Sequence, residues 1–188
     1  GNDYVASVAD RGAVAALVSR PAGTALPQLC VQDTTAALGK LGELNRQFYR
    51  GPLVGITGSC GKTTAKNLIH SVLSQRGNAF ATRGNFNNEI GVPLTLLQLH
   101  PGLDFAVIEM GAGRPGDIKR LCAMAHPTIS VLLNVMPAHL EGMGSLAGIA
   151  RTKGEIFDQL GESGTAVMNA DEPWLGDWRE RAGAARVI

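Results

Sequence analysis

The run Leu53-Val54-Gly55-Ile56-Thr57-Gly58-Ser59-Cys60-Gly61-Lys62-Thr63-Thr64 constrains this chain more than any other stretch. A short apolar segment feeds a glycine-rich turn, and Lys-Thr-Thr then opens a helical pattern. That order is strand, phosphate loop, helix. Glycines let the backbone curl so that its N–H groups face phosphate oxygens, and a helix N-terminus adds a field that favours anions. Lys62 then reaches the terminal phosphates, and the Thr63 hydroxyl is placed to hold Mg²⁺. The candidate nucleotide-binding residues are therefore Gly58, Ser59, Cys60, Gly61, Lys62, Thr63 and Thr64. A strict phosphate-loop motif has glycine at position 56, where this chain has isoleucine, so the match is to a variant. An ordinary glycine-rich strand-to-helix turn is the plainer alternative.

The flanking pattern sets the fold class. Residues 1–50 read as part of a small α/β N-terminal domain. It has a helix near Asp3–Arg11, a buried strand over Ala13–Val18 and a second strand at Leu29-Cys30-Val31. Asp33 then caps a helix whose apolar face runs Ala37, Leu38, Leu41, Leu44, Phe48. Gly51-Pro52 breaks that helix and marks the expected domain boundary. A unit this small is expected to continue upstream of residue 1.

From residue 52 strands and helices alternate. The phosphate-loop helix carries Ala65, Leu68, Ile69, Val72 and Leu73 on one face. Ala79–Ala81 is a short strand, and Val92, Leu96, Leu97 and Leu99 mark another helix. Phe105–Glu109, Ile129–Leu133 and Thr165–Met168 are further apolar strands. Pro115–Ala125 and residues 145–160 are helices between them. Near-continuous apolar strands alternating with helices predict a mostly parallel sheet flanked by helices over residues 51–188.

Composition narrows the function classes. The formal net charge is +1, which argues for neither a nucleic-acid nor a membrane surface. No apolar run approaches the roughly 18 residues that span a bilayer. Cys30, Cys60 and Cys122 fit neither a zinc site nor a disulfide framework and read as reduced thiols of a cytoplasmic protein. Cys30 and Cys122 are expected in the core. Cys60, inside the phosphate loop, is expected to be reactive and shielded by bound nucleotide.

In an open α/β sheet, ligands bind beyond the carboxyl ends of the strands. The phosphate loop, Glu109, Asn134 and His139 all fall there. Glu109 sits where a Walker-B acid sits, able to hold Mg²⁺, unless it simply points into water. His139 alone is a loop histidine with no assigned partner, and His70, His100 and His126 read as non-functional. Asn85, Asn87 and Asn88 are either turn formers or a polar patch for a substrate. Lys153 is the anomaly. It falls on the inward stripe Leu146, Ile149, Ala150, Ile156, Phe157, Leu160, where a lysine must snorkel, pair or lose its charge. It either reaches solvent or turns toward the metal site.

Taken together, these residues resemble the Mur ligase family of peptidoglycan synthesis. Thr57–Thr64 matches that family's phosphate loop, which explains Ile56. The segments Gly84–Pro93, Ile108–Ala112 with Pro115–Ile118, Asn134-Val135 with Pro137–Glu141, Ala150–Phe157 and Asn169-Ala170-Asp171 are similar to its D-alanyl-D-alanine-adding branch. The resemblance implies that Lys62 and the loop backbone bind ATP phosphates and that Thr63 and Glu109 hold one Mg²⁺. It implies that His139 holds a second Mg²⁺ together with a carbamylated Lys153. Asn87 or Asn88 would lie by the nucleotide or acyl acceptor. The catalytic set is then Lys62, Glu109, His139 and Lys153.

The implied reaction activates the carboxylate of a UDP-N-acetylmuramoyl-tripeptide as an acyl phosphate, which the amine of D-alanyl-D-alanine displaces, in a cytoplasmic monomer. A sister ligase adding diaminopimelate or lysine shares the fold but differs after Glu109. A folylpolyglutamate synthase is disfavoured by Asn85–Pro93. A non-catalytic nucleotide-binding module needs neither His139 nor Lys153. The family has three domains. By this resemblance the chain holds part of the first and most of the second, with the C-terminal ligase domain absent.

Overall fold

The computed structural model describes residues 2–138 and 140–188. The chain divides into two compact units, Gly1–Leu38 and Gly39–Ile188. In the first, a short 3-10 turn (Asn2–Tyr4) leads into α1 (Val5–Ala9). β1 (Ala16–Val18) then pairs in parallel with β2 (Gln28–Cys30), Ala16 opposite Gln28. The Gln28 side chain closes the loop between them, accepting from the Ala22 N–H at 2.7 Å and donating to the Ala22 carbonyl at 2.8 Å. Asp33 caps α2 (Thr34–Arg46) as expected, its Oδ1 accepting from the N–H groups of Thr35 and Ala36 at 2.7 and 3.0 Å. The first strand is shorter than its apolar run suggests, because Val14 is 86% exposed. Cys30 is exposed, not in the core, since a two-stranded sheet this small leaves β2 open to solvent.

The division falls inside α2, and its second half belongs to the larger unit. There the helix packs through small and polar residues instead of its leucines. Leu41, Leu44 and Phe48 are 43, 44 and 69% exposed, whereas Gly39, Gly42 and Arg46 are buried. A Cβ at Gly42 would stand 2.9 Å from Pro93 Cα, so glycine alone permits that approach. The Arg46 guanidinium donates to the carbonyls of Tyr49, Ala125 and His126 at 2.6, 2.7 and 3.1 Å. Asn45 donates to the Leu96 and Leu99 carbonyls. The helix is held by carbonyl recognition, which an apolar stripe does not register.

The larger unit is built on β3 (Leu53–Thr57), every residue of which is buried. The elements that follow are α3 (Lys62–Leu73), β4 (Ala79–Ala81), α4 (Gly91–Leu96), β5 (Phe105–Glu109), α5 (Asp117–Ala125) and β6 (Ile129–Leu132). Then come α6 (Leu140–Met143), α7 (Leu146–Gly154), a 3-10 turn at Glu155–Phe157, β7 (Thr165–Met168), α8 (Leu175–Ala182) and β8 (Arg186–Val187). Among the described residues the six strands form one parallel sheet in the order β4-β5-β3-β6-β7-β8. From β3 the chain passes to the edge strand β4, comes back to β5 beside β3, and then winds outward on the other side through β6, β7 and β8. The carboxyl ends of β3 and its neighbours therefore border the crevice where such sheets bind ligands.

Alternate side chains of each strand serve opposite faces. Leu53, Ala106, Ile108 and Leu132 join the larger core with α4, α5, α7 and α8, while Val54, Ile56, Val107 and Val131 pack toward Ile69 and Leu73 of α3. The face of α3 differs from its apolar reading. Leu68 and Val72 are 64 and 68% exposed, and the buried position is Lys66. No helix among the described residues is long and apolar enough to cross a membrane.

Candidate active site

The loop after β3 turns on Gly61, whose φ of +77° is a left-handed conformation that glycine adopts without a Cβ penalty. That turn starts α3 at Lys62 and aims the helix N-terminus back over the loop. Lys62 Nζ donates to the Gly58 carbonyl at 2.8 Å. Thr64 is exposed on the first turn of the helix.

A second segment, after β6, braces the loop. Asn134 Oδ1 accepts from the N–H groups of Ser59 and Cys60 at 3.1 and 3.0 Å, and its Nδ2 donates to the Cys60 carbonyl at 3.2 Å. Its backbone carbonyl also accepts from Ser59 N–H at 3.0 Å. Ser59 Oγ and Met136 are joined twice more, at 2.9 and 3.1 Å. Cys60 is exposed, with its Sγ beside Met136 Sδ at 3.3 Å.

Glu109 ends β5 and does not point into water. It is 2% exposed. Thr63 Oγ1 donates to its Oε2 at 2.9 Å, and Asn87 Nδ2 to its Oε1 at 2.8 Å. Lys66 Nζ lies 3.8 Å from Oε2, and the Glu109 N–H donates to Thr82 Oγ1 at 3.0 Å. Asn88 has a different task. Its Oδ1 accepts from the N–H groups of Ile90 and Gly91 at 3.2 and 2.8 Å and so fixes the turn that leads into α4.

Lys153 turns toward the phosphate loop. It is 2% exposed, and its Nζ donates to the same Gly58 carbonyl at 3.1 Å that Lys62 uses. Burial, and then the neighbouring Lys62 charge, push its pKa down to about 8. Two residues on, Glu155 accepts from the Gly116 and Lys119 N–H groups at 2.8 and 3.0 Å, which fixes the end of α7 against the N-terminus of α5. Ser59, Lys62, Asn87, Asn88 and Lys153 line one cleft of about 580 Å³, which Arg114 and Arg120 also line.

The structure thus brings together the loop, Glu109, Asn87 and Lys153. His139 lies outside the described residues. Two residues of the site, Thr82 and Lys66, were not among the sequence candidates. Asn134 was visible as a strand-end amide, but nothing marked its partner. Thr82 carries no motif. Lys66 did leave a signal, because it stands among Ala65, Ile69 and Leu73 at inward spacing.

The donor chemistry suits a magnesium ion. A hydroxyl and a carboxylate in mutual contact beside a phosphate loop match an ion held by one or two protein oxygens and completed by substrate phosphates and water. Among the described residues no group of three or more His, Cys, Asp or Glu gathers into an all-protein metal cage. Lys153 as an ammonium has no lone pair for a cation; it fits a metal site only after losing that charge, as a neutral amine or as an anion.

The model of the Mur ligase middle domain matches residues 56–188. UDP-N-acetylmuramoyl-tripeptide–D-alanyl-D-alanine ligase of Escherichia coli strain K12 is 47% identical over 187 residues, covering 99% of this chain and 41% of that protein. Among solved structures, MurF from Acinetobacter baumannii superposes with a TM-score of 0.94 at 36% identity, over 100% of this chain and 42% of that one. MurF from Thermotoga maritima in complex with ADP gives 0.88 at 36% identity, over 99% and 43%. The chain spans about two fifths of the length of these relatives.

Proposed function

The chain belongs to the Mur ligase family, and on that premise we propose that it is the nucleotide-activating part of an ATP-dependent ligase that joins D-alanyl-D-alanine to UDP-N-acetylmuramoyl-tripeptide. One observation carries this reading. The phosphate loop, the Thr63–Glu109 pair and the buried Lys153 meet at one crevice, with two ammonium groups on a single loop carbonyl. That arrangement suits chemistry in which a phosphoryl group moves to a carboxylate.

The reaction has two balanced steps. The tripeptide carboxylate attacks the γ-phosphorus of ATP, and ADP leaves. The free amine of D-alanyl-D-alanine then attacks the acyl carbon, phosphate departs, and the amine gives up its proton. Direct condensation of a carboxylate with an amine is uphill in water, so the phosphoryl step supplies the leaving group. Lys62 binds the phosphates and stabilises their charge as they rearrange. Thr63 and Glu109 would hold magnesium, which neutralises phosphate charge when bound. Asn87 keeps Glu109 aimed.

Lys153 enters as a carbamate. Its amine, with a pKa pushed down to about 8, has a neutral fraction near physiological pH that adds to CO₂ with release of a proton. The resulting anion would serve as a ligand for a second ion, the role the family resemblance assigns to it together with His139. It also removes the cation–cation conflict with Lys62. Residues 1–50 belong, in this reading, to the domain that binds the UDP-linked precursor, and residues 51–188 to the ATP-binding domain. ATP and a UDP-linked precursor as substrates place the reaction in the cytoplasm, and a monomer suffices for it.

The test uses the intact protein. Phosphate release from ATP is measured with the UDP-tripeptide, with and without D-alanyl-D-alanine, and with Lys153→Ala in parallel. Release should depend on both substrates, should fail with diaminopimelate or lysine in place of the dipeptide, and should collapse in the variant. Hydrolysis indifferent to both substrates would sink the assignment.

A further inference from the structure

Lys66 is as buried as Glu109, at 3 and 2% side-chain exposure, and its Nζ lies 3.8 Å from the Glu109 Oε2 that also accepts from Thr63. Its other partner is the Gly84 carbonyl at 3.1 Å. Position 66 faces the sheet with Ile69 and Leu73, where an apolar side chain would pack without cost. An ammonium is tolerated there because a carbonyl accepts from it and an anion compensates its charge, and the buried carboxylate is compensated in turn. Around Glu109, Thr63 and Asn87 contribute neutral donors. Among the described residues within ion-pairing reach of its carboxylate, the cation is Lys66.

From this arrangement we propose that Lys66 is the resident countercharge of Glu109. It is a positioning residue that keeps the carboxylate compensated and aimed while no divalent cation is bound, and that loosens the cation's hold once it arrives. The inference rests on the reading of Glu109 as a metal-facing carboxylate. The Gly84 carbonyl gives the ammonium a second partner at 3.1 Å, which holds it in place when Glu109 turns toward an ion. A divalent ion and Lys66 then repel across one carboxylate, in a setting where water screens little. The consequence is a site assembled before its metal comes and able to release it with product.

The test measures melting temperature in EDTA and Mn²⁺ affinity at saturating ADP on the intact protein. The variants are Lys66→Met, Lys66→Arg and Lys66→Met combined with Glu109→Gln. Lys66→Met should melt several degrees lower in EDTA, because it strands a buried carboxylate, yet bind Mn²⁺ about tenfold tighter. Lys66→Arg should keep both wild-type values. The double variant, with neither charge buried, should recover the melting temperature. If Lys66→Met does not fold alone, folding of the double variant supports the pairing and its failure overturns it. Unchanged or weaker Mn²⁺ binding in Lys66→Met also overturns the proposal, as does a melting loss that Glu109→Gln does not rescue. A wild-type protein with no Mn²⁺-dependent gain in ADP affinity removes the metal reading of Glu109, a result distinct from an unchanged variant.

Discussion

Lys153 gives the most quantitative prediction. Its pKa falls from 10.5 to about 8 in the folded chain, first through burial and then through Lys62. The native state therefore holds the proton less tightly than the unfolded chain does. Roughly 2.5 units at 1.36 kcal/mol each puts the cost of charging Lys153 in the native state at about 3 kcal/mol near pH 7. The cost is constant below about pH 8. It shrinks as pH rises from 8 toward 10.5, because there the unfolded chain still binds the proton and the native one does not. Between pH 7 and 9.5 the wild type should therefore gain about 2 kcal/mol from this residue.

Lys153→Met removes the titration. At pH 7 it should be the more stable protein by about 1 to 2 kcal/mol, after loss of the bond to Gly58 is set against relief of the charge. That advantage should vanish near pH 9.5. Urea unfolding in CO₂-free, metal-free buffer reads this directly through tryptophan fluorescence, since both tryptophans, Trp174 and Trp178, lie in the same unit as Lys153. Trp178 even donates to the Ala150 carbonyl one turn before the lysine. Bicarbonate should flatten the wild-type profile by converting the amine to a carbamate. A stability difference between the two proteins that stays constant from pH 7 to 9.5 would refute the reasoning.

Two further outcomes follow from the same geometry. Asn134→Ala deletes the side chain that accepts from two loop N–H groups and donates to a loop carbonyl, so the dissociation constant for ADP should rise about tenfold by calorimetry, and an unchanged constant would show that the loop holds its shape unaided. In thiol labelling at pH 7.5, exposed Cys30 and Cys60 should react while buried Cys122, its thiol pushed up to about 12 chiefly by burial, should not; ATP should protect Cys60 alone, and labelling of Cys60 at the same rate with ATP bound would place it away from the nucleotide.

The strands were the most legible part of this chain. β3, β5 and β7 occupy the apolar runs that announce them, because strands buried on both faces need little besides apolar residues. The helices were legible in place but not in orientation. In α2 the leucine stripe faces out and Gly39, Gly42 and Arg46 face in, since close approach and carbonyl recognition outweigh apolar area there. α8 escaped the sequence reading because only Trp178 and Ala182 of its eight residues are buried.

The two inward lysines show where the same limit falls on the site. Each stands on a helix, at inward spacing, among apolar neighbours, and each ends on a loop carbonyl near the crevice. Lys153 was conspicuous because Ile149, Ala150, Ile156 and Phe157 around it are all buried, so its position contradicted a clean pattern. The signal of Lys66, its spacing from Ile69 and Leu73, was obscured because Leu68 and Val72, both exposed, drew the apparent face of α3 a quarter-turn away from the true one. A buried charge is readable from sequence only when the stripe it interrupts is itself read correctly. Its partner is not readable at all, because Glu109 comes from another strand and Gly58 from another loop. What the parallel topology adds is that convergence. By placing β5 and β6 on either side of β3, it sets Glu109 and Asn134 against the two sides of one phosphate loop, so that Thr63 meets a carboxylate and Ser59 an amide.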